Sequence, residues 1–390
     1  MSQPVYLDNA ATTPVLPEVR EAMLPFLGAE AFGNPSSPHR YGRAARAAIE
    51  EARGHVAHTL GVGPDGVYFT SGGTEADNLA VLGGALAARA AGRPFRVAVG
   101  ATEHKAVLAA AHAVEAQGGE ALVLPVNRQG WVEPDALDQA LARGVALVAL
   151  MWVNNESGVV QDVAAIAQRC AAAGAWLVTD AVQAFGKIPT DAASLPRTMV
   201  TASAHKIGGP KGVGALYAPD PDAVAPLIHG GGQQAGLRPG TENVAGIAGF
   251  GRAAELARTD LNARARHLGA LRERFERGLA AAVPDATIHG AAAPRAPHVT
   301  SVAIPGTDSE ALLMHLDLAG VCCSSGSACT TGAVTPSHVL TAMGVPLDLA
   351  IASLRFSFGW QNTVADVDRA LEVLPGVVEK VRALAEALKR

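Results

Sequence analysis

Aromatic residues, charged residues and cysteines are all scarce in this chain of 390 residues. Phe, Tyr and Trp make up only 4% of it, so Ala, Val, Leu and Ile must fill most of any core. The formal net charge of −5 is mild, and no run of basic residues occurs. The chain therefore lacks the cluster of basic residues that is typical of nucleic-acid-binding proteins, and we expect no direct nucleic-acid partner.

Long apolar runs are also missing. No stretch approaches the ~20 residues that span a bilayer. Residues 1–16 contain Asp8 and Asn9 in place of the continuous apolar core of a secretory signal. We therefore expect a soluble, cytoplasmic protein with no membrane association.

The few cysteines are Cys170, Cys322, Cys323 and Cys329. In a long intracellular chain such residues are more often thiols than structural disulfides. The last three do not follow a zinc-binding pattern and lack a second pair that would complete a tetrahedral site. We predict no metal site, and we interpret Cys170, Cys322 and Cys323 mainly as core residues.

Short apolar runs alternate with Ala-rich segments of helical length between about Val67 and Tyr217. The runs predict seven strands: Val67–Thr70, Arg96–Gly100, Ala121–Pro125, Ala146–Val153, Ala175–Asp180, Met199–Ser203 and Gly214–Ala218. The intervening segments predict helices over Glu75–Ala91, Lys105–Gln117, Asp135–Ala142 and Val163–Ala173. Because these strands are apolar throughout, we predict an α/β layer with a mostly parallel seven-stranded sheet covered on both faces.

The pattern changes towards the C-terminus. A long helix is predicted over Val244–Ala282, with a break near Thr259. Beyond Ala286, the chain predicts a smaller α+β unit with strands His298–Ile304 and Val321–Ser325 and helices Ser309–Leu318 and Ala365–Leu388. The Pro-containing N-terminal segment is expected to wrap over one or both units. We therefore expect a large domain over residues 15–260 and a small domain formed by residues 1–14 and 261–390.

Polar side chains follow successive predicted strands. The loop Thr70–Glu75 offers backbone N–H groups to an anion before a helix begins, as phosphate-binding loops do. Asp180 ends a further predicted strand, and His104, Asn155 and Lys206 each follow another one. Because parallel strands end at one edge of a sheet, we expect these groups to meet in a crevice.

Each of these residues also has an ordinary structural explanation. Asp180 suits a helix N-cap, Lys206 a surface position beside a turn, and Asn155 the turn itself. A lone His104 is more often structural than catalytic. Independent structural explanations for all of them together are improbable, so the joint arrangement favours a cofactor site with a Schiff-base lysine.

The motifs of the chain are similar to those of one family from end to end. They are Tyr6–Pro14, Phe32–Ser36, Thr70–Glu75, Thr102–Lys105, Val153–Glu156, Asp180–Gln183, Ser203–Lys206, Gly240–Asn243, Ser324–Thr330 and Leu354–Ser357. On these residues the chain resembles the cysteine desulfurases of iron–sulfur cluster assembly, in the long-loop group. The resemblance implies a homodimer with the fold-type I, aspartate-aminotransferase-like architecture and pyridoxal 5'-phosphate as cofactor.

The resemblance also implies roles for individual residues around the cofactor ring. Lys206 would form the Schiff base, Asp180 would pair with the pyridine nitrogen, and His104 would stack on the ring and help move protons. Gln183 and Asn155 would hydrogen-bond the cofactor. The phosphate would be held by Gly73, Thr74, Ser203 and His205, and by Thr241 of the other subunit.

Substrate and sulfur are assigned to the remaining residues by the same resemblance. Arg355 would bind the carboxylate of L-cysteine, assisted by Asn34 and Asn155, and Cys329 would accept the sulfur as a persulfide. The sulfur would then pass to an iron–sulfur scaffold or another acceptor protein. The alternatives are a selenocysteine lyase or an aminotransferase of the same fold, or a sulfur-relay scaffold that mainly binds partners, and Cys323 as a secondary sulfur acceptor also stays open.

Overall fold

The computed structural model describes residues 4–325 and 336–388. Its strands in chain order are β1 (Val5–Tyr6), β2 (Val67–Thr70), β3 (Arg96–Gly100), β4 (Glu120–Leu124), β5 (Leu147–Ala149), β6 (Trp176–Asp180), β7 (Thr198–Ser203), β8 (Gly214–Tyr217), β9 (Thr287–Ile288), β10 (Val299–Ala303), β11 (Val321–Cys322) and β12 (Ser353–Ser357).

The helices of these residues are α1 (Pro17–Met23), α2 (Arg40–Leu60), α3 (Gly73–Asn78), α4 (Gly84–Ala90), α5 (Lys105–Ala116), α6 (Pro134–Ala142), α7 (Val163–Ala172), α8 (Val244–Thr259), α9 (Leu261–Ala282), α10 (Ser309–Leu318), α11 (His338–Ala342), α12 (Leu347–Ile351) and α13 (Val364–Leu388). A π-helical segment, Leu79–Gly83, joins α3 to α4. None of the helices in this part of the chain combines the length and apolar character needed to cross a membrane.

The central sheet has seven strands in the order β2-β8-β7-β6-β5-β3-β4. Strands β4, β3, β5, β6 and β7 run parallel, whereas β8 is antiparallel to both of its neighbours, β7 and β2. All residues of β5, β6 and β7 are buried, as strands covered on two faces must be. The predicted mostly parallel seven-stranded sheet is confirmed.

Helices cover both faces of this sheet. Side chains of α3, α4 and α5 pack with Val97, Leu147 and Met199 on one face. On the other face, α1, α2 and α8 pack against the β2, β7 and β8 side, and α6 and α7 pack against the β3, β5 and β6 side. The carboxyl ends of the parallel strands lie together at one edge of the sheet, which is where ligands bind in open α/β sheets.

Helix α2 was not predicted from the sequence. Its N-cap is His39, which accepts a hydrogen bond from the Gly42 N–H, and it ends at Gly61, whose φ of 71° is left-handed. Ala45, Ile49, Ala52 and Val56 form a buried stripe that packs on α8. The stripe recurs at helical spacing and includes Ile49 and Val56, so the sequence carried a signal for this helix that was overlooked.

Several other expectations differ from the structure in extent; the predicted strand Val321–Ser325 is a strand only over Val321–Cys322, and the predicted helix Glu75–Ala91 is divided by the π-helical segment. The predicted strand Ala146–Val153 is too long, because β5 ends at Ala149. Beyond it, the N–H of Met151 donates a hydrogen bond to the carboxylate of Glu103. The predicted helix break near Thr259 lies at Asp260, between α8 and α9.

The C-terminal part of the chain has its own core. Strand β10 pairs antiparallel with β12 and β9, and helices α9, α10 and α13 cover this small sheet. Phe275, Phe356 and Phe358 form a ring cluster at its centre. Strand β1 pairs parallel with β11 and contributes Val5 and Leu7 to the same core, which joins the N-terminal residues to the C-terminal part.

We expect Leu312→Ala to lower the free energy of unfolding by ~2–5 kcal/mol, because it removes a fully buried side chain from this C-terminal core. Leu318 lies on the same helix but is 77% exposed, so Leu318→Ala should change stability by less than ~0.5 kcal/mol. Chemical denaturation followed by circular dichroism checks both variants. Equal losses for the two leucines would contradict this assignment of the core.

Candidate active site

A cavity of about 400 Å³ opens at the carboxyl edge of the central sheet. It is lined by ten residues that were predicted as site residues: Gly73, Thr74, His104, Asn155, Asp180, Gln183, Ser203, His205, Lys206 and Arg355. The first nine follow or end strands of the central sheet, whereas Arg355 comes from β12 of the C-terminal part. Both parts of the chain therefore contribute to one cavity.

Three predicted site residues do not line this cavity. Asn34 is exposed, and its side-chain oxygen accepts a hydrogen bond from the N–H of Ser36. Thr241 is exposed in the loop before α8. Cys329 lies outside the described residues. The roles expected for these three residues stay predictions.

Lys206 ends a short 3₁₀ turn that follows β7. Its Nζ donates hydrogen bonds of 2.7 and 2.6 Å to the carbonyl oxygens of Ala10 and Ala11. Burial, together with the positive charge of Arg355, lowers the pKa of Lys206 to about 8. A sizeable fraction of the amine is thus neutral, and hence nucleophilic, near neutral pH.

Asp180 ends β6 and is almost fully buried. Burial raises the pKa of its carboxyl group, while a 2.8 Å hydrogen bond from the Val182 N–H and the nearby His104 and Lys206 oppose that rise. A cationic group in the cavity would hold this carboxylate ionised. Asp180 is therefore suited to pair with a protonated ring nitrogen.

His104 is the N-cap of α5 and is exposed to the open cavity. Its Nδ1 accepts a 3.2 Å hydrogen bond from the N–H of Ala106, which leaves the proton of the neutral ring on Nε2. The protein atoms packed around the ring lower the pKa of His104, as does Lys206, whereas Asp180 raises it. The result is a largely neutral imidazole of defined tautomer beside Lys206 and Asp180.

A second buried carboxylate, Asp77, lines the cavity and was missed in the sequence. It accepts a 2.6 Å hydrogen bond from the hydroxyl of Thr201 on β7. Burial first, and then the negative charge of Asp180, raise the pKa of Asp77 well above its usual range. The only sign of Asp77 in the sequence was that a single carboxylate lies on a helix close to the buried Ala76 and Ala80.

Arg355 lines the cavity from β12 of the C-terminal part. Its Nη2 forms a 2.8 Å ion pair with Asp8, and its Nη1 donates a 3.0 Å hydrogen bond to the carbonyl oxygen of Asn155. Within the described part of the chain, its buried Nε has no hydrogen-bond partner. The guanidinium is thus oriented by two contacts and keeps donor capacity for an anion, and Asp8 is a further site residue whose role was not predicted.

The anion end of the cavity has an unsatisfied donor. The buried hydroxyl of Ser203 has no hydrogen-bond partner among the described residues, and Thr74 and His205 line the same wall. A Cβ atom on Gly73 would lie 3.0 Å from a methyl group of Val182, so a larger residue would crowd this end. A phosphate group would supply the missing acceptor for Ser203.

These residues fit the pyridoxal phosphate that the family resemblance implies. Ser203, Thr74 and His205 can hold its phosphate, Asp180 its ring nitrogen and Lys206 its carbonyl carbon. Burial and the charge of Lys206 lower the pKa of His205 to about 4, so its imidazole is neutral at the phosphate end. In the part of the chain that the structure describes, no cluster of three or more His, Cys, Asp or Glu residues could hold a metal ion.

None of the described thiols lines this cavity. Cys170 is fully buried behind the sheet, and burial raises its pKa to about 12. Cys322 and Cys323 lie at the end of β11, and burial raises the pKa of both. Poorly ionised thiols are weak nucleophiles, which argues against Cys323 as a sulfur acceptor.

Known proteins resemble this chain over almost its whole length. The family described as Aminotransferase class-V matches residues 5–370. The cysteine desulfurase IscS of Dictyoglomus turgidum is 43% identical over 385 residues, covering 99% of this chain and 97% of that protein. A cysteine desulfurase of Cereibacter sphaeroides is 47% identical over 383 residues, covering 98% of this chain and 97% of its own length.

Solved structures agree with these sequence matches. A NifS-like protein superposes with a TM-score of 0.89 at 34% identity and covers 97% of this chain and 100% of its own. A NifS-like protein from Rickettsia africae superposes with a TM-score of 0.86, also at 34% identity and with the same coverage of both chains. The predicted architecture of fold-type I pyridoxal-phosphate enzymes is thereby confirmed.

The low pKa of Lys206 can be measured by competitive acetylation of protein from which any bound cofactor has been removed. Because burial and Arg355 disfavour the ammonium form, the labelling rate of Lys206 should rise with pH and reach half its maximum near pH 8. Mass spectrometry of the peptides gives the rate, with the exposed Lys380 in the same digest as the reference. A Lys206 profile that follows Lys380 at every pH would contradict the assignment.

Proposed function

The chain belongs to the class-V aminotransferase family, among its cysteine desulfurases, and on that premise we propose that it converts L-cysteine to L-alanine and holds the sulfur as a persulfide on Cys329. Enzymes of this family depend on pyridoxal phosphate. The observation that carries the proposal is that Lys206, with its lowered pKa, lines one cavity together with the carboxylate of Asp180 and the guanidinium of Arg355.

Arg355 orients the substrate. Its planar guanidinium suits a carboxylate, and Asp8 and the carbonyl oxygen of Asn155 hold it against the cavity wall. Substrate bound there would direct its amino group towards the Lys206 side of the cavity. We propose that Asn34, which does not line this cavity, assists Arg355 in binding the substrate.

Pyridoxal phosphate, when bound, acts as an electron sink for an amino acid attached through its amino group. The amine of Lys206 would hold the cofactor and, once released from it, would move the proton at the substrate Cα. His104 would assist, its neutral ring offering the Nε2–H as a hydrogen-bond donor. Asp180 would balance the positive charge of the ring nitrogen.

The sulfur step requires a second thiol. The thiolate of Cys329 attacks the substrate sulfur, so an S–S bond forms while the bond between carbon and sulfur breaks. L-cysteine and the Cys329 thiol thus become L-alanine and a Cys329 persulfide, with no external oxidant or reductant. An acceptor thiol then takes the terminal sulfur by exchange.

Cysteine desulfurase activity implies cysteine as substrate and a sulfur acceptor. We propose that the acceptor is an iron–sulfur scaffold or a related thiolation protein in the cytoplasm. We also propose a homodimer in which Thr241 of the second subunit completes the phosphate site, in keeping with its exposure on a single chain.

We expect Cys329→Ala to keep the yellow colour of the bound cofactor but to lower formation of alanine and sulfide by ~10²-fold or more, because its nucleophile is missing. Visible spectra and product assays with L-cysteine check this. Cys322→Ala is the matched control and should retain activity, since this thiol lies at the end of β11 away from the cavity. If the Cys329→Ala variant stays active, the chain is instead a selenocysteine lyase or an aminotransferase of the same fold.

Arg355→Lys should raise the KM for L-cysteine by ~10–100-fold with a smaller change in kcat, because a lysine cannot give the carboxylate two parallel hydrogen bonds. Steady-state kinetics measure both constants. Arg369→Lys, at an exposed position of α13, is the matched control. A fall in kcat at unchanged KM would place Arg355 in the chemistry instead of in substrate binding.

A further inference from the structure

We propose that Lys187 and His298 are positioning residues that fix the side-chain amide of Gln183 with its NH₂ group towards the cavity. Gln183 is then a donor, and never an acceptor, for a bound cofactor. The inference rests on the proposed function, because it concerns how that cofactor is held. Lys187 and His298 thereby belong to the site, although neither residue lines the cavity itself.

The three side chains form a buried cluster. Lys187 Nζ lies 2.9 Å from Oε1 of Gln183, and His298 Nε2 lies 3.0 Å from the same oxygen. Lys187 Nζ and His298 Nε2 are themselves 3.3 Å apart. All three residues are less than 9% exposed, so water does not compete for these contacts.

The other end of the amide has a partner of the opposite kind. Gln183 Nε2 donates a 2.9 Å hydrogen bond to the carbonyl oxygen of Ala10. A flipped amide would place its oxygen against that carbonyl, which pairs acceptor with acceptor. Only one orientation satisfies the cluster, and in it the second N–H of Gln183 is free to serve the cavity that this residue lines.

This orientation does not depend on the charge of Lys187. Burial lowers the pKa of Lys187 well below its usual range, and the positive charges of Lys206 and Arg355 add to the effect. An amine and an ammonium group both carry N–H donors, so Nζ donates to Gln183 in either state. Burial also lowers the pKa of His298, whose neutral ring donates through Nε2 because amide oxygens only accept.

The cluster connects distant parts of the chain. Lys187 and Gln183 lie in the turn after β6, whereas His298 immediately precedes β10 of the C-terminal part. The carbonyl oxygen of Ala10 that accepts from Gln183 also accepts from Lys206 Nζ. The amide of Gln183 and the amine of Lys206 are thus held against one common atom.

A fixed N–H donor has a defined chemical effect. It stabilises a negatively charged oxygen beside it, such as the phenolic oxygen of pyridoxal phosphate. That oxygen then stabilises the protonated Schiff base with Lys206 less strongly. Loss of the donor should therefore raise the pKa of that Schiff base. This quantity is read from the visible absorbance of the bound cofactor as a function of pH and needs no turnover.

The experiment compares Lys187→Met with wild type in the cofactor-loaded, full-length protein. Methionine keeps the apolar stem but has no donor. We expect the pKa of the Schiff base to rise by about one pH unit, the scale of one lost hydrogen bond to a charged acceptor. Lys380→Met, the same change at an exposed lysine, should leave it unchanged. An unchanged pKa in Lys187→Met overturns the proposal.

A double-mutant cycle separates positioning from a general structural effect. If Lys187 acts through Gln183, then Gln183→Ala and the Gln183→Ala/Lys187→Met double variant should show the same Schiff-base pKa. A further rise in the double variant would overturn the proposal. Wild-type protein that shows no cofactor band would instead overturn the proposed function, so the two failures are distinguishable.

His298 supplies the test if Lys187→Met does not fold, as judged by circular dichroism. His298→Met removes a donor to the same oxygen and should raise the Schiff-base pKa. His298→Gln retains an N–H donor and should restore a value near that of wild type. Equal values in all three proteins would overturn the proposal.

Discussion

The parallel register of β6 and β7 is the constraint on which the site depends. In this register Asp180 lies opposite Thr201, and Lys206 follows a few residues beyond the end of β7. Thr201 also holds Asp77 through its hydroxyl group. Because a slip of one residue would turn every side chain of a strand to the opposite face, the same pairing that buries Val178 and Val200 also determines where these three charged groups lie.

Burial gives these groups their chemistry. A lysine, a histidine and two carboxyl groups around one cavity all depart from their ordinary pKa values chiefly because protein replaces water around them. Desolvation favours the neutral forms of Lys206 and His104: a nucleophilic amine must be neutral, and the neutral imidazole offers its Nε2–H as a hydrogen-bond donor. Backbone groups, namely the Ala10 carbonyl and the Val182 N–H, hold Lys206 and Asp180 in position. Backbone atoms are less mobile than side chains.

Local patterns predicted much of the α/β layer. Strands such as Val67–Thr70 and Arg96–Gly100 have the predicted bounds, since each is a short apolar run between polar breaks. Helix α2 was missed although its buried stripe recurs at helical spacing. Asp77, Lys187 and His298 were missed because no local pattern distinguishes a charged residue buried in a cluster from one on a solvated surface.

The predicted strands and the residues that follow them were enough to predict a mostly parallel sheet and the edge where Asp180, His104, Asn155 and Lys206 line one cavity. These are local properties, because a strand carries its terminal residue to the sheet edge wherever the strand pairs. Which side chains face one another across the cavity was decided only by the tertiary structure. The Asp8–Arg355 ion pair and the contact of Gln183 with His298 join residues more than 100 positions apart in the chain, and such contacts depend on how the two cores pack together.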